Sequence, residues 1–112
     1  IAGTTGQGLR LEAMRIKVSG IEGLGIRYRA HVQSYGWLDY VENGALAGTT
    51  GKSKRMEAIQ IELTGEQAAN YDVYYRVHAQ TYVWINWAKN GEVAGTKGFG
   101  KRMEALQICI LP

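Results

Sequence analysis

The side chains in this sequence best suited to chemistry are flat aromatics interleaved with polar groups. Trp37, Trp84 and Trp87, with Tyr35, Tyr40 and Tyr82, could stack on the apolar face of a sugar ring while nearby amide and guanidinium groups pair its hydroxyls. His31 and His78 alternate with Arg29, Gln33, Arg76 and Gln80, and a period of two puts each set on one strand face able to donate and accept. The candidate ligand-binding residues are therefore Trp87, Tyr40, His31, His78, Gln33 and Gln80. Trp87 stands where an otherwise matching stretch has Tyr40, and an amphipathic aromatic that varies in this way fits a surface. Trp37 and Trp84 are expected to anchor the core, since large aromatics are highly buried on average, with stacking on a ligand as the competing role. The histidine row has its own competitor, a solvated face or bonds to a neighbouring strand.

Other chemistries find less support. The pairs Arg10/Glu12, Arg55/Glu57 and Arg102/Glu104 share the parity of the apolar residues that follow. They are expected on the core side, tying turns together rather than acting as acid or ligand. Gly3-Thr4-Thr5-Gly6 is followed by no lysine-serine/threonine pair at the spacing of a phosphate loop and reads as a turn. One histidine per matching stretch is a weak metal signal, and Cys109, the single cysteine, reads as a strand residue. No metal site and no cofactor are expected. An active site needs one asymmetric constellation, yet each polar candidate here has a counterpart further along. The chain is therefore expected to be non-catalytic, and linked equivalent groups suit a multivalent binder.

The elements that must position these groups come from an internal repeat. The run from Ala2, AGTTGQGLRLEAM, returns at Ala47 as AGTTGKSKRMEAI and at Ala94 as AGTKGFGKRMEAL, at offsets of 45 and then 47 residues. A second block, IRYRAHVQSYGWLDYVENGALAG from Ile26, returns from Val73 as VYYRVHAQTYVWINWAKNGEVAG. The single domain thus divides into the tail of one repeat (1–20) and two full repeats (21–65 and 66–112). Residues 26–33 alternate as a half-buried strand, with Ile26, Tyr28, Ala30 and Val32 on one face. Residues 37–42 form a second strand, and Asn43-Gly44 and Asn90-Gly91 are hairpin turns. A short strand at 45–47 and one carrying Ile59, Ile61 and Leu63 complete the unit. Small units must share a core with their neighbours. The expected fold is all-β, with internally repeated four-stranded units in a pseudo-threefold β-prism-like or β-trefoil-like arrangement and a truncated first repeat. Residues 9–18 should be a paired strand, and incomplete closure points to a homo-oligomer.

Composition sets outer limits. Apolar residues at 46% and charged residues at 21% describe a folded globular domain, and no apolar run is long enough for a transmembrane helix. A formal charge of +3 favours anionic partners weakly, but no strong basic patch argues for nucleic acid.

The repeated text resembles the clostridial hydrophobic repeat with a tryptophan, the ChW repeat. The matching residues are Tyr28-Arg29-Ala30-His31-Val32-Gln33, Gly36-Trp37, Asn43-Gly44, Ala47-Gly48-Thr49 and Arg55-Met56-Glu57-Ala58. One departure is visible, Val83-Trp84 in place of Gly36-Trp37. The resemblance implies a secreted or cell-wall-associated module of Gram-positive bacteria, of the kind found beside peptidoglycan hydrolases such as autolysins. The expected function is binding of a cell-wall glycan or anionic wall polymer, targeting an attached hydrolase or surface protein. The alternative is a protein-interaction or adhesion module.

Overall fold

The structure is a computed structural model that describes residues 2–3, 13–49, 54–79, 84–95 and 103–112. It is all-β apart from one 3-10 turn, Ala68–Asn70. The strands run β1 (Ala2–Gly3), β2 (Ala13–Arg15), β3 (Gly25–Val32), β4 (Gly36–Trp37), β5 (Val41–Glu42), β6 (Leu46–Gly48), β7 (Met56–Thr64), β8 (Asp72–Ala79), β9 (Ala88–Lys89), β10 (Ala94–Gly95) and β11 (Met103–Leu111). Two long antiparallel ribbons dominate, β3 with β7 and β8 with β11.

Alternation decides which face of each ribbon is covered. Along β3 and β8 every second residue is buried. Ile26, Tyr28, Ala30 and Val32 meet Val73, Tyr75 and Val77 in one apolar cluster with Met56, Ile59, Ile61, Met103 and Leu106. Met14, Ile16 and Val18 pack against the same cluster, so all three segments of the repeat share one core. Burying a large apolar side chain contributes about 1.5–3 kcal/mol.

The expected turns are present. Asn43 and Gly44 have φ of 46° and 90°, and Asn90 and Gly91 have 43° and 90°, the double positive φ of a type I′ turn. Each asparagine also acts beyond its turn. Asn43 Oδ1 accepts from the Ile26 amide at 2.9 Å, and Asn90 Oδ1 accepts from the Val73 amide at 2.9 Å.

Short strands connect the segments in a cycle. Ala47 and Gly48 of β6 pair with Met14 and Ala13 of β2. Ala94 and Gly95 of β10 pair with Ile59 and Ala58 of β7. Ala2 and Gly3 of β1 pair with Leu106 and Ala105 of β11. The same sequence position meets the same partner position each time, and the last link returns to the first segment. The turn glycines follow this order: the Gly44 amide donates to Ile16 O at 2.7 Å and the Gly91 amide to Ile61 O at 2.8 Å.

Two expectations change in detail. The second strand, read as continuous over 37–42, is divided into β4 and β5 with Leu38–Tyr40 outside any strand. The leading strand, read over 9–18, is a strand at Ala13–Arg15, while Ile16 is held by its amide donating to Tyr28 Oη at 2.9 Å. Residues 9–12 lie outside the described residues.

Tyr75 supplies a pH test of the core. Its hydroxyl donates to Glu92 O, and burial pushes the phenol up to about 12 from 10.0. A proton held more tightly in the folded state contributes stability that is present below pH 10 and lost as pH rises through 12. The loss is on the order of 2 kcal/mol. Stability against urea should therefore fall between these pH values, and Tyr75→Phe should flatten the fall. An equal slope in both proteins would reject the assignment.

Candidate functional site

The face of each ribbon opposite the core carries the polar row and also both aromatics of the repeat. Two register shifts put them there. His31 lies opposite Trp37, but Tyr28 lies opposite Val41, so three steps along β3 are matched by four along β4 and β5. An extra residue in one strand reverses the side-chain parity beyond it. Trp37 and Tyr40, three apart in sequence, consequently reach the same face, with exposed Asp39 between them. The second repeat does the same: His78 bridges Trp84, while Tyr75 pairs with Ala88.

The second shift lies on the other side of the histidine. His31 pairs with Ala58 and Val32 with Met56, while His78 pairs with Ala105 and Ala79 with Met103. The skipped residues are Glu57 and Glu104. Their expected core-side position is corrected here, because the extra residue turns their carboxylates toward the histidines. Glu57 is 6% and Glu104 5% exposed. Glu57 Oε1 stands 3.2 Å from His31 Nδ1, and Glu104 Oε1 stands 3.3 Å from His78 Nδ1. Arg55 adds an ion pair to Glu57 at 3.1 Å. The histidine nitrogens lie beside the carboxylates without forming a hydrogen bond to them. A buried carboxylate demands such company.

The centre of each site is an arginine between two rings. The Arg29 guanidinium carbon is 4.8 Å from the ring centroids of both Trp37 and Tyr40. In the second repeat Arg76 lies 4.8 Å from Trp84 and 4.7 Å from Trp87. Gln60 Oε1 accepts from Arg29 Nε at 2.8 Å, and Gln107 Oε1 accepts from Arg76 Nε at 2.9 Å. The histidines meet the tryptophans edge-on, at 5.3 Å and 82° for Trp37 and at 5.5 Å and 85° for Trp84. Cation–π contacts of this kind contribute about 0.5–1 kcal/mol each at exposed sites.

A repeat of arginine, two aromatics, histidine and buried glutamate is thus assembled twice by one local rule. The sequence pattern of the Clostridial hydrophobic W repeat matches residues 1–20, 31–65 and 78–112. The chain belongs to this family. Clostridial hydrophobic W repeats occur in surface proteins. No curated protein and no solved structure matches the chain.

The expected site residues occupy different settings within these clusters. Trp87 is 44% exposed, and Tyr40 is half-buried beside Arg29. His31 and His78 sit lower, with side chains 18% and 12% exposed, between tryptophan and glutamate. Gln33 lies at the end of the row, where its Oε1 accepts from the Arg55 amide at 3.5 Å. Gln80 and Tyr82 lie outside the described residues. Trp37 and Trp84 do not belong to the core cluster; they are half-buried on the opposite face, which corrects their reading as core anchors. Arg29 and Arg76 entered the sequence reading only as members of the polar row, and Gln60 and Gln107 did not enter it. Their one signal is the repeated pairing of an arginine in one strand with a glutamine between two apolar residues of the next.

In the first repeat a further ion pair covers the rim. Arg27 Nε donates to Glu62 Oε2 at 2.8 Å, and that bond and charge raise the Arg27 pKa above its ordinary value. Among the described residues no group of three or more His, Cys, Asp or Glu could hold a metal. No helix among them is long and apolar enough to cross a membrane.

Proposed function

We propose that this chain is a non-catalytic module that binds a glycan or anionic polymer of a Gram-positive cell wall. Such a module would hold an attached hydrolase or surface protein on the wall, in a secreted or wall-associated setting. The observation that carries this reading is the arginine held between two aromatic rings on the polar face of both full repeats. A fixed guanidinium and flat rings combine charge-assisted bonding with a stacking surface. The cyclic strand pairing supports a pseudo-threefold arrangement, prism-like or trefoil-like, and short strands at its edges are compatible with a homo-oligomer.

Sedimentation with purified clostridial cell walls, intact or stripped of secondary polymers, tests the reading. The chain should pellet with the walls, and Trp87→Ala should weaken binding about tenfold or more, ~1.4 kcal/mol, with little change in thermal midpoint. His78→Ala should lower the midpoint as well, because it strips Glu104 of a neighbour. Wall binding unaffected by Trp87→Ala would reject the site. The exposed Tyr35, Val93 and Leu111 favour a second reading, protein adhesion, which replaces the first if the chain ignores walls and captures a surface protein.

A further inference from the structure

The two repeats share the arginine–aromatic centre but differ at its rim. Four positions in register change character together: Arg27 becomes Tyr74, Tyr40 becomes Trp87, Glu62 becomes Cys109 and Thr64 becomes Leu111. Arg27 and Glu62 face each other across the ribbon, as do Tyr74 and Cys109. In the first repeat the rim is closed by charge. Arg27 bonds Glu62 and also lies 4.8 Å from the Tyr40 centroid, so two guanidinium groups occupy one ring. In the second repeat Trp87 has, among the described residues, Arg76 alone at this distance. Its remaining surface borders a groove of about 280 Å³ lined by Tyr74, Trp87, Cys109 and Leu111. Lys89 stands at the edge, 5.6 Å from the Tyr74 centroid and 3.6 Å from Asp72 Oδ2.

We propose that this groove is the chain's saccharide site, that its ligand is a sugar ring carrying an N-acetyl group, and that the first repeat's equivalent is closed by Arg27 and Glu62. The proposal rests on the wall-binding reading and assigns its location and chemistry. Trp87 offers a flat face to the C–H side of a pyranose. The lining of Tyr74, Trp87, Cys109 and Leu111 is mostly apolar, so an apolar methyl fits it better than a hydroxyl, which would lose its water. Lys89 and Asp72 supply a donor and an acceptor at the edge for the ring's hydroxyls and amide. The volume of about 280 Å³ lies just under the usual range of small-ligand pockets, room for no more than one substituted ring. The full chain then presents one saccharide site rather than two equivalent ones.

Cys109 makes the site directly readable, because it is the chain's single cysteine and it is exposed. The intact chain is reacted with a chromogenic disulfide reagent in the presence of N-acetylglucosamine tetramer, with glucose tetramer as the comparison. The N-acetylated tetramer should slow thiol labelling about tenfold once its concentration exceeds Kd by about tenfold, and the glucose tetramer should not. Trp87→Ala should weaken this protection and the wall binding together, about tenfold or more, while Glu22→Ala, at an exposed position of the first full repeat, should leave both within about twofold. Wall binding that persists with unprotected Cys109 would place the site elsewhere and overturn the proposal while sparing the wall reading. Saturation of the intact chain by two equivalents of the N-acetylated tetramer would overturn the closure of the first repeat. Equal protection by both tetramers would overturn the N-acetyl assignment. A chain that binds neither walls nor either tetramer overturns the wall reading and this proposal at once.

Discussion

Tyr75→Ala should cost about 3–5 kcal/mol of folding stability, whereas Trp84→Ala should cost only about 1–2 kcal/mol. The contrast runs against residue size, and position explains it. Tyr75 is fully buried in the common core, where β8 meets the other ribbon's residues. Its hydroxyl also satisfies Glu92 O, so truncation leaves both a cavity and a carbonyl without its donor. Trp84 is half-buried on the far face, against Arg76 and the edge of His78, and its removal opens the site to water rather than emptying the interior. A domain of this size has about 5–15 kcal/mol to lose. Urea midpoints of the two variants measure the difference, and a Trp84→Ala loss equal to that of Tyr75→Ala would show that the polar face carries the fold.

Gly95→Val is expected to disrupt the link between the two full repeats, at about 3 kcal/mol or more. Gly95 has φ of +116°, and a Cβ there would lie 2.4 Å from Glu57 O and 2.6 Å from Ala58 Cα. Both are backbone atoms of the partner strand, so no side chain can rotate away. Pairing of Ala94–Gly95 with Ile59 and Ala58 must then separate. Gly36→Ala provides the control. That glycine also has positive φ, +75°, but nothing lies within 4 Å of a Cβ, so only the backbone preference of about 1–2 kcal/mol is lost. Thermal midpoints should fall well below the parent for Gly95→Val and slightly for Gly36→Ala. Similar shifts in the two variants would mean that close approach at Gly95 contributes nothing. At Gly95 the two full repeats thus approach more closely than a side chain allows.

The sequence alone determined the all-β class, the repeat, and the faces of the long strands, because each depends on contacts a few residues apart. Ile26, Tyr28, Ala30 and Val32 could be assigned to the core from a period of two, and the Asn-Gly turns from their tolerance of positive φ. Only the tertiary structure decided where Trp37, Trp84, Glu57 and Glu104 point. Counting parity along the sequence assumes an uninterrupted ladder, and each full repeat contains two extra residues that reverse it, one in its long ribbon and one in the short strands that pair with β3 or β8. Those residues leave no signal of their own, since the exposed Asp39 and its counterpart in the second repeat, Asn86, suit a regular strand as well as an irregular one. The cyclic pairing was equally hidden. Two-residue strands such as Ala94–Gly95 carry too little periodicity to announce a partner, and their register is set by which neighbouring backbone comes within reach once the core has formed.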